Sequence, residues 1–511
     1  MFGPTTPNPA AGNLPGALQY EGYGNGRCNC NFMQTYPFAI GPRLGVAYQL
    51  DSKTVIRGGI GVSYGQTPTF FYITNGALLG VGFNQIAFTS PSFGTAGVVL
   101  KNGLQYDHSQ LYVATLNPGL VPNPGQLNSP NYYLDPNAGR PPRIPQWSVG
   151  VQRQITRDLM AEASYVGNRG AWISQPSGIF AANTLVNLNA INPATLAARG
   201  IDPSTAAGQS LLLSTFASGT PQKNGFNVPY AGYPQSATLA QALRPYPQFG
   251  SIPLVWAPLG DSWYNSLQAK VTKRYSHGLT LATAFTLAKA QSNPGGTVNN
   301  VFNRSQNKSI TAFDQPFIFN VAYTYEVQKF GSNKWVHAIA AGWTLGGLLQ
   351  YASGAPIPSP TATTNMSSLL FQNTLMNRVP GVPLFLKDLN CHCIDPYKDF
   401  VLNTDAWKNP APGAWGTAAP YYSDFRYARR PQEQMSLGRI FRIKERNSLE
   451  IRAEFFNMFN RTYLANPSLT APTQPQARNG LGQPTSGWGY INPTSLYSQP
   501  RNGQLVARFS F

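Results

Sequence analysis

Charge is scarce in this chain. Only 11% of its 511 residues are Asp, Glu, Lys or Arg, against about 25% in a typical soluble domain. The missing charge is not replaced by apolar residues, because the mean hydropathy is −0.23. It is replaced by Gly, Pro, Ser, Thr, Asn, Gln and Tyr. A long apolar run is missing as well. A spanning helix needs about 20 apolar residues, and the longest candidate, 338–349, is short and holds Gly342, Gly346 and Gly347. The opening Met1-Phe2-Gly3-Pro4-Thr5-Thr6-Pro7 lacks the basic-then-apolar order of a secretory leader. Basic residues outnumber acidic ones 37 to 19, for a net charge of +18. Yet no block of five or more basic residues occurs, and no nucleic-acid motif, so no nucleic-acid partner is expected. Catalytic signatures are lacking too: there is no HExxH, GxSxG or phosphate loop. Of the four histidines, His277 falls in a tight turn, His108 and His392 in loops, and His337 in a connection between strands. No enzyme activity, cofactor or metal site is expected.

What is present is period-two alternation, the signature of half-buried strands. The chain ends Gly503-Gln504-Leu505-Val506-Ala507-Arg508-Phe509-Ser510-Phe511. Leu505, Ala507, Phe509 and Phe511 share one face of that strand. A naked apolar strand at a terminus suits a soluble sheet poorly, because an open edge invites aggregation. A closed barrel in a membrane removes the edge and gives the apolar face to lipid. The same alternation recurs upstream in hairpins. Leu44, Val46, Tyr48 and Leu50 return as Ile56, Ile60, Val62 and Tyr64. Trp147, Val149 and Val151 return as Leu159, Ala161, Ala163 and Tyr165. Leu267, Ala269 and Val271 turn at Ser276-His277-Gly278 and return as Leu279, Leu281, Thr283, Phe285 and Leu287. Phe317–Tyr325 pairs with Trp343–Tyr351. Gln434–Ile443 alternates poorly, since Arg439 interrupts its apolar face. Its partner, after the turn Lys444-Glu445-Arg446-Asn447, sets Leu449, Ile451, Ala453 and Phe455 against Glu450, Arg452 and Glu454.

The connections sort by length. Those after Leu50, Ile155, Tyr275 and Ile443 are a few residues, and the one after Val327 is moderate. Those after Gly65, Gly167, Ala290, Gly354 and Asn457 run to tens of residues, well beyond ordinary loops. Short turns on one rim and long loops on the other mark outer-membrane barrels, with the short turns periplasmic. Trp147, Trp263, Trp343, Tyr275 and Tyr325 lie near strand ends, where aromatic girdles belong. The expected fold is all-β: a transmembrane antiparallel barrel sheet of about eleven strands, half of the 22 found in plugged transporters.

Several phrases carry a family resemblance. They are Gly41-Pro42-Arg43-Leu44-Gly45-Val46-Ala47-Tyr48, Gln146-Trp147-Ser148-Val149-Gly150-Val151-Gln152-Arg153, Ala163-Ser164-Tyr165-Val166-Gly167-Asn168-Arg169-Gly170 and Arg452-Ala453-Glu454-Phe455-Phe456-Asn457-Met458-Phe459-Asn460. Taken in order, they resemble the barrel of TonB-dependent, Oar-like outer-membrane receptors, in which a carboxypeptidase-regulatory-like domain and a plug usually come first. Neither the plug nor a TonB box is present in these residues. The resemblance therefore implies that 39–511 is the C-terminal half of such a barrel and 1–38 the remnant of an extracellular loop. It implies lipid and lipopolysaccharide of the outer membrane as surroundings. It implies the barrel-assembly machinery as reader of Leu505, Ala507, Phe509 and Phe511, and TonB as a partner through the plug. The function implied is import of an unidentified solute. The alternative is a structural or adhesive surface barrel working through its long loops.

Residues on the polar side of the strands are candidates for contact with a plug or passing solute: Arg57, Glu162, Lys270, Glu450, Arg452, Glu454 and Arg508. Glu450 and Glu454 lie two pleats apart with Arg452 between them, which suits a charge ladder in a polar lumen better than a glycosidase acid pair. The cysteines come as Cys28-Asn29-Cys30 and Cys391-His392-Cys393. That spacing is compatible with a soft metal. An even count in predicted extracellular loops favours disulfides, with the pairing left open.

Overall fold

The structure is a computed structural model describing residues 2–31, 34–65, 88–90, 92–103, 116–128, 133–174, 186–252, 254–294, 298–328, 341–443, 447–495 and 499–511. His108, His337 and turn residues 444–446 lie outside this set. Eleven strands follow one another in a single antiparallel meander, each paired with its sequence neighbours. They are Arg43–Asp51 (β1), Thr54–Tyr64 (β2), Arg143–Gln154 (β3), Leu159–Ile173 (β4), Gly260–Ser276 (β5), Leu279–Asn293 (β6), Phe317–Glu326 (β7), Trp343–Ala352 (β8), Gln432–Arg442 (β9), Ser448–Phe456 (β10) and Asn502–Ser510 (β11). A short strand, Ser309–Ile310, also pairs with β6. The order ends at β1 on one side and β11 on the other.

One of the two-residue reversals is at His277-Gly278, where φ is +50° and +78°. A two-residue hairpin turn matching the strand twist needs positive φ at both positions. A side chain on Gly278 would also run into the Glu326 carbonyl oxygen.

Register makes two continuous faces. Ile56, Val151, Ala163, Ala269, Phe285, Phe319 and Tyr351 stand opposite one another in sequence from β2 to β8. Tyr325, Leu345, Leu437, Ala453 and Leu505 carry the same face on to β11. These apolar side chains are open to the surroundings: Val46 is 61% exposed and Leu505 81%. Such a face is stable only against lipid, because water would charge roughly 25 cal/mol for each Å² of it. Val55, Gln152, Glu162, Lys270, Ala284, Asn320, Gln350 and Gln432 form the matching row on the other face.

Among the described residues, no buried apolar side chain lies on the eleven strands. The buried cores are in the long connections. One gathers Ile191, Leu196, Leu212, Phe216 and Leu239 from 174–259 with Met366, Leu369 and Leu370 from 353–431, and with Ala11. A second joins Ile357, Trp407 and Phe425 to Trp488 and Ile491. The segment before 38, which reads as plain loop, contains a hairpin of Phe2–Asn8 with Leu14–Leu18. Phe2 is buried against Phe249 and Ile252, and the Asn8 amide donates to the carbonyls of Gly16 and Val121, both at 2.9 Å.

Candidate functional site

The polar face holds every charged residue singled out from the sequence, in two groups at opposite ends of the strand order. The first lies on β2–β5. Glu162 and Lys270 stand directly opposite across β4 and β5. Arg57 faces Gly150, and Gly150 in turn faces Ser164. The second lies on β10–β11. Arg452 is 3.1 Å from Glu450 and 2.7 Å from Glu454. Its stem lies over Gly438 of β9, where any Cβ would meet it at 3.0 Å. Glu454 also accepts from the Gln504 amide, and Arg508 stands opposite Glu450. The two groups do not converge on one centre.

Sequence reasoning missed two other places. The first is at the short-turn rim. A cavity of about 280 Å³ is lined by Lys53, Arg57, Arg157 and Arg274 together with Asp158. The Asp158 carboxylate accepts from Lys273, Ser276 and the Thr156 hydroxyl. Those bonds, the one from Lys273 foremost, hold its carboxyl well below the usual carboxylate range. Two of these cations sit in turns, where period-two reading assigns no face.

The second is at the long-loop rim, on the apolar side of the sheet. Glu433 follows the apolar row, opposite Leu349, yet its side chain is fully buried. Arg461, from the 457–501 connection, covers it with a two-pronged bond at 2.8 and 2.9 Å. Tyr351 and Tyr463 lie beside the pair and, with Arg461, line a cavity of about 570 Å³. Deeper in the loops, Arg426 and Asp314 pair at 2.5 Å, with the Asp314 side chain only 3% exposed.

The sorted meander and its two faces place the chain among membrane barrels, and comparison with known families narrows this. Residues 1–504 match the model of the outer membrane beta barrel domain. The chain belongs to that family. The domain lies in the bacterial outer membrane, with its apolar face in lipid.

Among solved structures the barrel domain is similar to the outer membrane transporter YddB from Escherichia coli, at 10% identity and TM-score 0.38, over 92% of this chain and 40% of that one. It is similar to the ferric-catecholate import receptor Fiu from E. coli K12, at 10% identity and TM-score 0.36, over 97% and 40%. It is also similar to BauA, the ferric preacinetobactin receptor from Acinetobacter baumannii, at 9% identity and TM-score 0.35, over 92% and 36%. The chain spans about a third to two-fifths of the length of such structures. No curated protein matches it.

The cysteines of the barrel domain lie outside both faces, one pair before β1 and the other in the long connection between β8 and β9. Cys28 is bonded to Cys30 and Cys391 to Cys393, each with Cα atoms 5.1 Å apart. Phe509, of the terminal set, pairs with Leu449 across β10 and β11, and its ring stacks with Phe511 at 6.2 Å.

Proposed function

We propose that this domain is part of an energised outer-membrane transporter. Solute is caught by the long loops and moves along the polar face. TonB acts on it through a plug domain, and the barrel-assembly machinery reads the terminal strand. In this reading 39–511 is barrel and 1–38 belongs to an extracellular loop. The observation that carries it is the charge on the face turned from lipid, at Arg57, Glu162, Lys270 and the Glu450–Arg452–Glu454 ladder. A barrel that served only as an anchor would need an apolar exterior but no charged interior row.

The test is solute depletion. Cells making the protein, with and without TonB, are grown in a mixed medium whose small solutes are followed by mass spectrometry. TonB-dependent loss of one solute class is expected. The packed loop cores favour one competing reading, a surface barrel that works by adhesion. Cell attachment that depends on the loops, with no TonB-dependent depletion of any solute, would establish it instead.

A further inference from the structure

We propose that the cavity at the short-turn rim of the polar face binds a small polyanion, a phosphate ester or polycarboxylate. Its basic groups come from three hairpins. Lys53 lies in the β1–β2 turn, Arg57 on β2, Arg157 in the β3–β4 turn and Arg274 on β5. All four are exposed, and none forms an ion pair with a described residue. The one carboxylate in the lining, Asp158, is already neutralised by Lys273. Glu162, one pleat above Met160, stands across from Lys270. The cavity therefore keeps an uncompensated fourfold positive charge.

Like charges held this close repel one another, and a pocket walled by protein screens them less than open water does. An anion relieves that repulsion. Arginine forks suit phosphate and carboxylate oxygens. Neutral groups are at hand as well: Gln154 and Thr272 line the cavity, and the Thr272 hydroxyl has no partner among the described residues. Seven of the eight strand positions in the lining (Val55, Arg57, Gln152, Gln154, Met160, Thr272 and Arg274) belong to the polar row, and Leu159, at the start of β4, to the apolar one. The cavity thus faces away from lipid, which argues against a membrane headgroup. At about 280 Å³ it suits a small molecule and not a folded partner.

This rests on the transport reading only for where the anion comes from; binding itself does not require transport. The test is calorimetric titration of the protein purified from outer membranes in zwitterionic detergent with sodium tripolyphosphate. One site is expected, weakening as salt rises. The Arg57→Gln/Arg274→Gln variant should bind at least tenfold more weakly. Arg157→Gln alone should lose about threefold, and Arg199→Gln, in a long loop, should match the parent. Heat-modifiable gel mobility checks that each variant is folded. No binding by the folded parent, or equal binding by the double variant, overturns the proposal. So does preference for a hexaglutamate peptide or for anionic lipid vesicles over tripolyphosphate. Failure of the transport reading would appear in solute depletion and leave this titration unchanged.

Discussion

Asp158 shows how a single turn residue can fix a hairpin junction. It sits between β3 and β4 and accepts from Lys273 and Ser276 at the far end of β5, tying two neighbouring turns together. Its folded-state carboxyl is depressed, so the stabilisation is present above the unfolded value of about 3.9 and is lost as pH falls through the lower folded value. Asp158→Asn should therefore lower the temperature of heat modification at pH 7. The gap to the parent should close progressively below about pH 4. A gap that persists in acid would mean that the carboxylate charge is not what matters. Arg452 makes a milder case. Its partners Glu450 and Glu454 are about a quarter exposed, so solvent screens the ladder. Arg452→Met should cost about 1 kcal/mol in denaturant unfolding from micelles. A loss several times larger would show that the ladder is far better shielded than its exposure implies.

At the scale of elements, the strands were legible because lipid and lumen impose a strict period of two. Phe317–Glu326 and Trp343–Ala352 extend the expected strands by one residue each. β9 was poorly legible for a physical reason. Glu433 and Arg439 both stand on its apolar face; the partner of Glu433, Arg461, is remote in sequence, and Arg439 lies over the rings of Phe441 on its own strand and Trp343 on β8. The loop cores were not legible at all, because apolar residues in irregular segments follow no period. Short helices form there nonetheless, capped by Asn192, Thr205 and Thr238. The polar-face candidates could be read from parity, whereas the rim cavity assembles from separate hairpins and could not.

Two element-scale outcomes follow. Tyr323 lies over Gly347 on the neighbouring strand, in the space a side chain would take. Gly347→Val should displace that ring and lower the heat-modification temperature, while Gly45→Val, whose added Cβ would meet only the Gly58 carbonyl oxygen at 4.0 Å, should be milder. Equal effects would deny the packing role. Deleting Phe511, which stacks on Phe509, should slow insertion into the outer membrane if the assembly machinery reads the terminal strand. Pulse-labelled cells yielding the heat-modifiable form at an unchanged rate would refute that.

For the whole molecule, the decisive feature is parity. β1 runs from the long-loop rim to the short-turn rim, and β11 runs the same way. Among the described residues each has one neighbour in the sheet. Their outer edges present rows of backbone groups, and in lipid each unpaired group costs several kcal/mol. Edges of nine residues each cannot stay bare there. Joining β1 to β11 would close the ring through a parallel seam. A ring of two copies would have the same defect at both junctions. Only an odd number of further strands completes an all-antiparallel ring, and such rings are even-numbered in bacterial single-chain barrels. Eleven more would make the 22 of plugged transporters. The eleven strands are therefore predicted to be one arc of a larger ring. Val46 and Ala507 lie mid-strand on the apolar face of β1 and β11. In native outer membranes, cysteines at these two positions should not cross-link under oxidation. A cross-link at monomer mobility would show eleven-strand closure, one at dimer mobility would show a two-copy ring, and either would overturn the parity argument.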